Sequence, residues 1–171
     1  MLQVDLRELA RGPVETRGEL AVGDPLFEGL DFVLDQPVVV EGRLQATGEE
    51  RFYWQGALRT VVRGECRRCL KPVTQAIAAE CGALFSRAPD AQGEADPDAY
   101  GLAPELDAVD LRPAVREELI LAVPRFLECR EDCRGLCPRC GKDLNAGPCG
   151  CPPPTDLRWA GLAALKDKFR D

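Results

Sequence analysis

Apolar positions set the first half of the chain into strand-like runs. Val38-Val39-Val40-Glu41-Gly42-Arg43-Leu44-Gln45-Ala46 opens as a continuous apolar stretch and then alternates, the two-residue period of a half-buried strand. Gly48-Glu49-Glu50 reads as a turn, and Arg51 to Val62 follows with Phe52, Tyr53, Trp54, Val61 and Val62, so the two runs predict a hairpin. Pro72 to Phe85, with Val73, Ile77 and the Leu84-Phe85 pair, predicts a third strand, although Ala76-Ile77-Ala78-Ala79 suits a helix equally well. Residues 11–22 offer one more strand. The expected arrangement is an antiparallel β-meander.

The pattern breaks at Ala88. From there to Asp107 the chain holds three prolines and six acidic residues (Asp90, Glu94, Asp96, Asp98, Glu105, Asp107) with no Lys or Arg, the composition of a solvated loop. Asp110-Leu111-Arg112-Pro113 then predicts a helix over about 111–123, with Asp110 as N-cap and Pro113 in the first turn. Leu111, Val115, Leu119 and Ala122 share one of its faces, and Pro124 ends it. A second helix is expected to start at Thr155 or Asp156, where Leu162, Leu165 and Phe169 form a stripe and Lys166, Lys168 and Arg170 suit the C-terminal end. The fold class is therefore α+β: an antiparallel β-meander with two short helices and a Cys-rich zinc-binding segment. Residues 1–128 form a β-rich domain with an acidic loop at 88–107, residues 129–153 the Cys-rich segment, and residues 154–171 a C-terminal helix.

Composition narrows the chemistry. The chain has 171 residues, 45% hydrophobic and 30% charged, a globular profile. No apolar run approaches the ~20 residues a membrane-spanning helix needs, and the acidic start lacks the basic and apolar regions of a signal peptide. A cytoplasmic location is expected. In that reducing compartment nine cysteines point to metal rather than to disulfides. The net charge of -7 opposes general binding to nucleic acid, so any RNA contact has to be local. The absence of histidine removes the commonest general base and every Ser/His or Cys/His nucleophile pair, so no enzyme and no small-molecule substrate is expected.

The strongest motif is Cys129-x3-Cys133-x3-Cys137-x2-Cys140-x8-Cys149-x-Cys151, with Cys66-x2-Cys69 upstream. Two cysteines two residues apart aim both sulfurs into one tetrahedral site when the chain turns tightly between them. In Cys137-Pro138-Arg139-Cys140-Gly141, Pro138 presets the turn and Gly141 tolerates a left-handed backbone. Local closure groups Cys137, Cys140, Cys149 and Cys151, because that loop is the shortest. Cys66, Cys69, Cys129 and Cys133 make the second set, and Cys81 is left as a packed thiol inside a strand. Two Zn²⁺ ions fit this partition; one ion with idle thiols is the rival. Iron in a four-thiolate site and redox use of the thiols are the other chemistries. The stretch 129–153 contains only two large aliphatic residues, Leu136 and Leu144, so without metal it is expected to be disordered.

Basic residues crowd both pairs: Arg63, Arg67, Arg68 and Lys71 at the first, Arg134, Arg139 and Lys142 at the second. They either compensate the negative charge of zinc–thiolate sites or form a phosphate-contacting patch. Arg67, Arg68, Lys71, Arg134, Arg139 and Lys142 are the candidate binding residues. Trp54 and Trp159 read as core anchors.

Several of these segments resemble the YceD family of large ribosomal RNA subunit accumulation proteins. The resemblance rests on Glu65-Cys66-Arg67-Arg68-Cys69-Leu70, on Glu117-Glu118-Leu119-Ile120-Leu121-Ala122-Val123-Pro124, and on Cys133-Arg134-Gly135-Leu136-Cys137-Pro138-Arg139-Cys140-Gly141-Lys142-Asp143-Leu144-Asn145. Cys149-Gly150-Cys151 and Asp156-Leu157-Arg158-Trp159-Ala160-Gly161-Leu162 complete it, with Leu157 standing where the family often has Pro. The resemblance implies a bacterial or plastid, non-enzymatic protein needed for accumulation of 23S rRNA. Its expected partner is a large-subunit precursor, through rRNA or a ribosomal protein. The alternative from the residues alone is a thiol-based redox or zinc-responsive switch.

Overall fold

The computed structural model describes residues 2–87, 97–103 and 105–152. The chain divides into two compact units, Met1–Gly64 with Pro72–Leu127, and Glu65–Lys71 with Glu128–Asp171.

The first unit is built on strands β1 (Gln3–Asp5), β2 (Val14–Leu20), β3 (Val33–Leu34), β4 (Val38–Gly48), β5 (Arg51–Glu65) and β6 (Pro72–Ser86), of which β4, β5 and β6 are long. Short strands β7 (Ala99–Gly101) and β8 (Ala108–Asp110) follow, with helices α1 (Leu6–Leu9) and α2 (Arg112–Ala122). The main sheet has the order β2-β4-β5-β6-β7, with β3 pairing β5 beside it, while β1 and β8 form a separate antiparallel pair. The β4–β5 hairpin is antiparallel with Val40 opposite Leu58 and Leu44 opposite Trp54. That register places Val38, Val40, Leu44, Trp54, Leu58 and Val62 on one face, all fully buried. The Trp54 indole lies over Gly42 and Gly56, which pair across the strands. A Cβ on Gly42 would sit 2.8 Å from the indole nitrogen, so only glycine leaves room for the ring. The indole N–H donates to Thr16 Oγ1 at 2.9 Å, which satisfies the one polar atom the ring buries.

Helix α2 covers this core with Leu111, Ala114, Val115 and Leu119, all 0% exposed, as the periodicity predicts. Its N-cap is Leu111 rather than Asp110; the Asp110 carboxylate still accepts the Arg112 amide at 3.0 Å and thus acts one residue upstream of the helix. The stretch Ala76–Ala79 is strand, not helix, because Ile77, Cys81, Ala83 and Phe85 bury alternately along β6.

Two expectations are corrected. The sheet is mixed rather than purely antiparallel, because β7 pairs in parallel with β6. The same strand lies inside the expected acidic loop 88–107. Tyr100 gives that segment a reason to dock: its ring stacks on Phe85 with centroids 5.2 Å apart, and its hydroxyl donates to Glu117. The short helix α1, capped by the Asp5 carboxylate, is an element that apolar periodicity does not reveal. The expected C-terminal helix, with Trp159, lies outside the described residues.

Candidate metal centres

The second unit is assembled around sulfur. Four sulfurs, those of Cys66, Cys69, Cys129 and Cys133, lie within 4.8 Å of one another, and those of Cys137, Cys140, Cys149 and Cys151 form a second such quartet. Two edges of the first quartet are 3.9 Å (Cys66 to Cys133) and 3.7 Å (Cys69 to Cys129). A tetrahedral zinc with Zn–S bonds of about 2.3 Å requires sulfur–sulfur edges of roughly 3.8 Å. A disulfide would need about 2.05 Å. The donor set and spacing therefore fit a four-thiolate metal ion, and all nine cysteines are unpaired thiols.

Both Cys-x-x-Cys turns use one backbone design. In the first, the Leu70 amide donates to the Cys66 carbonyl at 2.9 Å, and the Cys66 amide to the Lys71 carbonyl at 2.8 Å. In the second, the Gly141 amide donates to the Cys137 carbonyl and the Cys137 amide to the Lys142 carbonyl, both at 2.9 Å. The residue after the second cysteine is left-handed in each, Gly141 at φ 71° and Leu70 at φ 58°. Glycine takes that conformation freely, whereas leucine is strained there.

The two turns are joined by a ladder. The Leu136 amide donates to the Arg68 carbonyl at 2.9 Å, and the Leu144 amide to the Gly135 carbonyl at 2.9 Å. Gly135 is left-handed at φ 72°, and a Cβ there would lie 2.6 Å from the Arg68 carbonyl oxygen. Side chains extend the connection. Lys71 Nζ pairs with Asp143 at 2.7 Å, the Asn145 side-chain amide donates to the other Asp143 oxygen at 2.7 Å, and also to the Cys133 sulfur at 3.5 Å. A donor aimed at a ligand sulfur favours its thiolate. The Lys71 ammonium holds the Asp143 carboxyl down at about 2, with the Asn145 donors adding to it.

Crowding separates the thiols electrostatically. The Cys129 amide pulls Cys66 down to about 6, while Cys129 itself, beside the Cys133 thiol, is pushed up to about 12. In the second quartet the amides of Cys140 and Arg139 bring Cys137 to about 6, and the Cys140 thiol pushes Cys151 to about 12. Four sulfurs this close cannot all ionise without a cation between them.

Burial follows the same logic. Cys66, Cys69, Cys133 and Cys137 are at most 6% exposed, yet no aliphatic or aromatic side chain is buried among the described residues of this unit. Leu136 and Leu144 are only half-buried, and Leu70 is exposed. Cys81 stands apart in β6, 3% exposed, where burial pushes its thiol up to about 11.

The six basic candidates separate into different environments. Arg67 pairs with Glu128 at 2.6 Å. Arg68 pairs with Glu128 at 3.3 Å and donates to the Glu131 and Cys133 carbonyls. Lys71 is held by Asp143, and Lys142 donates to the Pro148 carbonyl at 2.9 Å. The exposed side chains of Arg134 and Arg139 have no hydrogen-bond or ion-pair partner among the described residues. Sequence reasoning missed Glu128, Gly135, Asp143 and Asn145 as supports of the sulfur sites. The Asp-x-Asn spacing of the last two, an Asx-turn pattern, was the available signal.

A family model described as "Large ribosomal RNA subunit accumulation protein YceD" matches residues 54–166. An uncharacterised protein of Mycobacterium tuberculosis is 30% identical over 169 residues, covering 96% of this chain and 81% of its own length. One of Mycobacterium bovis is similar to the same extent. A protein of Zea mays named "Large ribosomal RNA subunit accumulation protein YCED homolog 1, chloroplastic" is 26% identical over 148 residues, 70% of this chain and 50% of that protein. No solved structure matches the chain.

Proposed function

The chain belongs to the YceD family of large ribosomal RNA subunit accumulation proteins, and on that premise we propose that it is a non-enzymatic factor in making the large ribosomal subunit, with a metal-organised unit as its binding face. Family membership carries the ribosomal role. The observation that carries the rest is the pair of sulfur quartets in a unit with no buried aliphatic or aromatic side chain among its described residues. Cys66, Cys69, Cys129 and Cys133 would hold one Zn²⁺, and Cys137, Cys140, Cys149 and Cys151 the other. Each ion would supply a fixed four-way crosslink; the chain's own part is to aim the sulfurs and to neutralise the charge around them. Four thiolates leave no open coordination position, so the sites are structural.

The energy scale supports this reading. Structural zinc in small fingers contributes about 10–16 kcal/mol of apparent binding free energy, as much as the ~5–15 kcal/mol that holds a whole domain. The proposed partner is a large-subunit precursor, reached through rRNA or a ribosomal protein in the cytoplasm. Neither a membrane nor a small-molecule substrate enters this role, and no described helix is long and apolar enough to cross a bilayer.

Metal analysis of the full chain purified under reducing conditions, paired with sedimentation of a tagged copy from growing cells, tests the proposal. The expected outcome is two zinc ions per chain and co-sedimentation with large-subunit precursors. Metal-free protein with an ordered second unit would overturn the metal reading. Reversible zinc loss under mild oxidant without association with precursors would favour a thiol switch instead.

A further inference from the structure

The two units differ sharply in charge. The first holds 11 basic and 21 acidic residues, the second 11 basic and 8 acidic. Two Zn²⁺ ions, each held by four thiolates, would each add -2 and take the second unit from +3 to -1, against -10 for the first. The sulfur-bearing unit thus repels an anion far less, and any phosphate contact on it has to be local. Among its described residues, most cations are already committed. Arg67 and Arg68 share Glu128, Lys71 holds Asp143, and Arg130 pairs with Asp132 at 3.1 Å. Around the second Cys-x-x-Cys turn the situation reverses: Arg134 and Arg139 are exposed without a partner among the described residues, and Lys142 meets only a neutral carbonyl.

We infer that the turn at Cys137–Cys140 is an RNA-phosphate contact surface, with Arg134 and Arg139, unpartnered among the described residues, as its cations, whereas Arg67, Arg68 and Lys71 at the first turn serve the fold. This inference rests on the ribosomal reading above and names the partner of that face. The chemistry favours RNA over a protein. A protein–protein interface needs an apolar centre ringed by polar groups, and this turn presents Pro138, Gly141 and charges, with Leu70 of the other turn the one large exposed apolar residue of the unit's described part. Phosphates need only fixed, unpaired cations. A basic ribosomal protein, by contrast, would be drawn to the acidic first unit.

The test compares R134Q/R139Q with R67Q/R68Q in the full, zinc-loaded chain. Binding is measured to transcribed 23S rRNA fragments across a salt series, with zinc content and thermal melting followed in parallel. R134Q/R139Q is expected to keep two zinc ions and the wild-type melting temperature, while its affinity falls about 10–100-fold and the salt slope shrinks by about two. R67Q/R68Q is expected to lose thermal stability or zinc before it loses affinity. A folded, zinc-loaded R134Q/R139Q that binds RNA with the wild-type slope overturns the inference. So does an affinity loss confined to R67Q/R68Q, or binding of a basic large-subunit protein that R134Q/R139Q alone abolishes. A wild-type chain that sediments with large-subunit precursors yet binds no rRNA fragment overturns this inference alone; absence from the precursors strikes the functional reading beneath it.

Discussion

The first unit buries Leu44, Trp54, Leu58, Phe85, Val115 and Leu119 to 1% exposure or less, whereas in the second the deeply buried side chains among the described residues are those of Cys66, Cys69, Cys133 and Cys137. One unit is stabilised by removing apolar surface from water, a force spread over many side chains. The other, with a metal ion in each sulfur quartet, would concentrate its stabilisation at two points. The lesson concerns failure: a spread-out core weakens by increments, while a point-stapled unit loses most of its stability with a single ligand.

The largest expected effect comes from metal removal. Chelation, or Cys66→Ser or Cys137→Ser, should release about 10–16 kcal/mol of metal-linked free energy per site and dissolve the second unit. Amide hydrogen exchange would read this as lost protection at 65–71 and 128–152 with β4, β5 and β6 still protected; equal loss in both units would erase the contrast. Next in size is Leu44→Ala, which empties space between β2, β4 and β5 and should cost the first unit about 2–5 kcal/mol in denaturant titration. Its zinc stoichiometry should stay at the wild-type value, and a loss of zinc would tie the units together.

Gly135→Ala should cost about 2 kcal/mol or more, because it adds left-handed strain and sets a methyl 2.6 Å from the Arg68 carbonyl. A raised zinc off-rate from the first quartet would report it. The smallest effect has the opposite sign. Leu70→Gly relieves φ 58° at an exposed side chain and should stabilise the second unit by about 1 kcal/mol; destabilisation would show that the leucine makes contacts outweighing its strain.

Much of this was legible in the sequence. Alternation through Val38–Ala46 and the aromatic run after Arg51 specify β4 and β5, because one face of each must be apolar and the other solvated. Four ligands per site, Cys81 set aside inside a strand and loop closure together divide the other eight cysteines into the two sets that the fold brings together. Strand β7 was hidden because three residues carry no period, and its docking rests on its pairing with β6 and on Tyr100, whose ring stacks on Phe85 and whose hydroxyl donates to Glu117. The separation of the basic residues was equally hidden. Nothing in their spacing distinguishes Arg68, satisfied by Glu128 and two carbonyls, from Arg139, which has no partner among the described residues. Leu70 conceals the likeness between the two turns, since its neighbour by analogy, Gly141, advertises the left-handed position and leucine does not.

The two quartets also differ in how long a growing polypeptide must wait for them. Cys69 and Cys129, 3.7 Å apart in the finished molecule, are separated by 60 positions. At translation rates of about 5–20 residues per second, Cys66 and Cys69 emerge some 3–12 s before their partners exist. During that interval the nascent pair holds only half the sulfurs of its quartet. The later quartet, drawn from 137 to 151, is complete almost as soon as it begins.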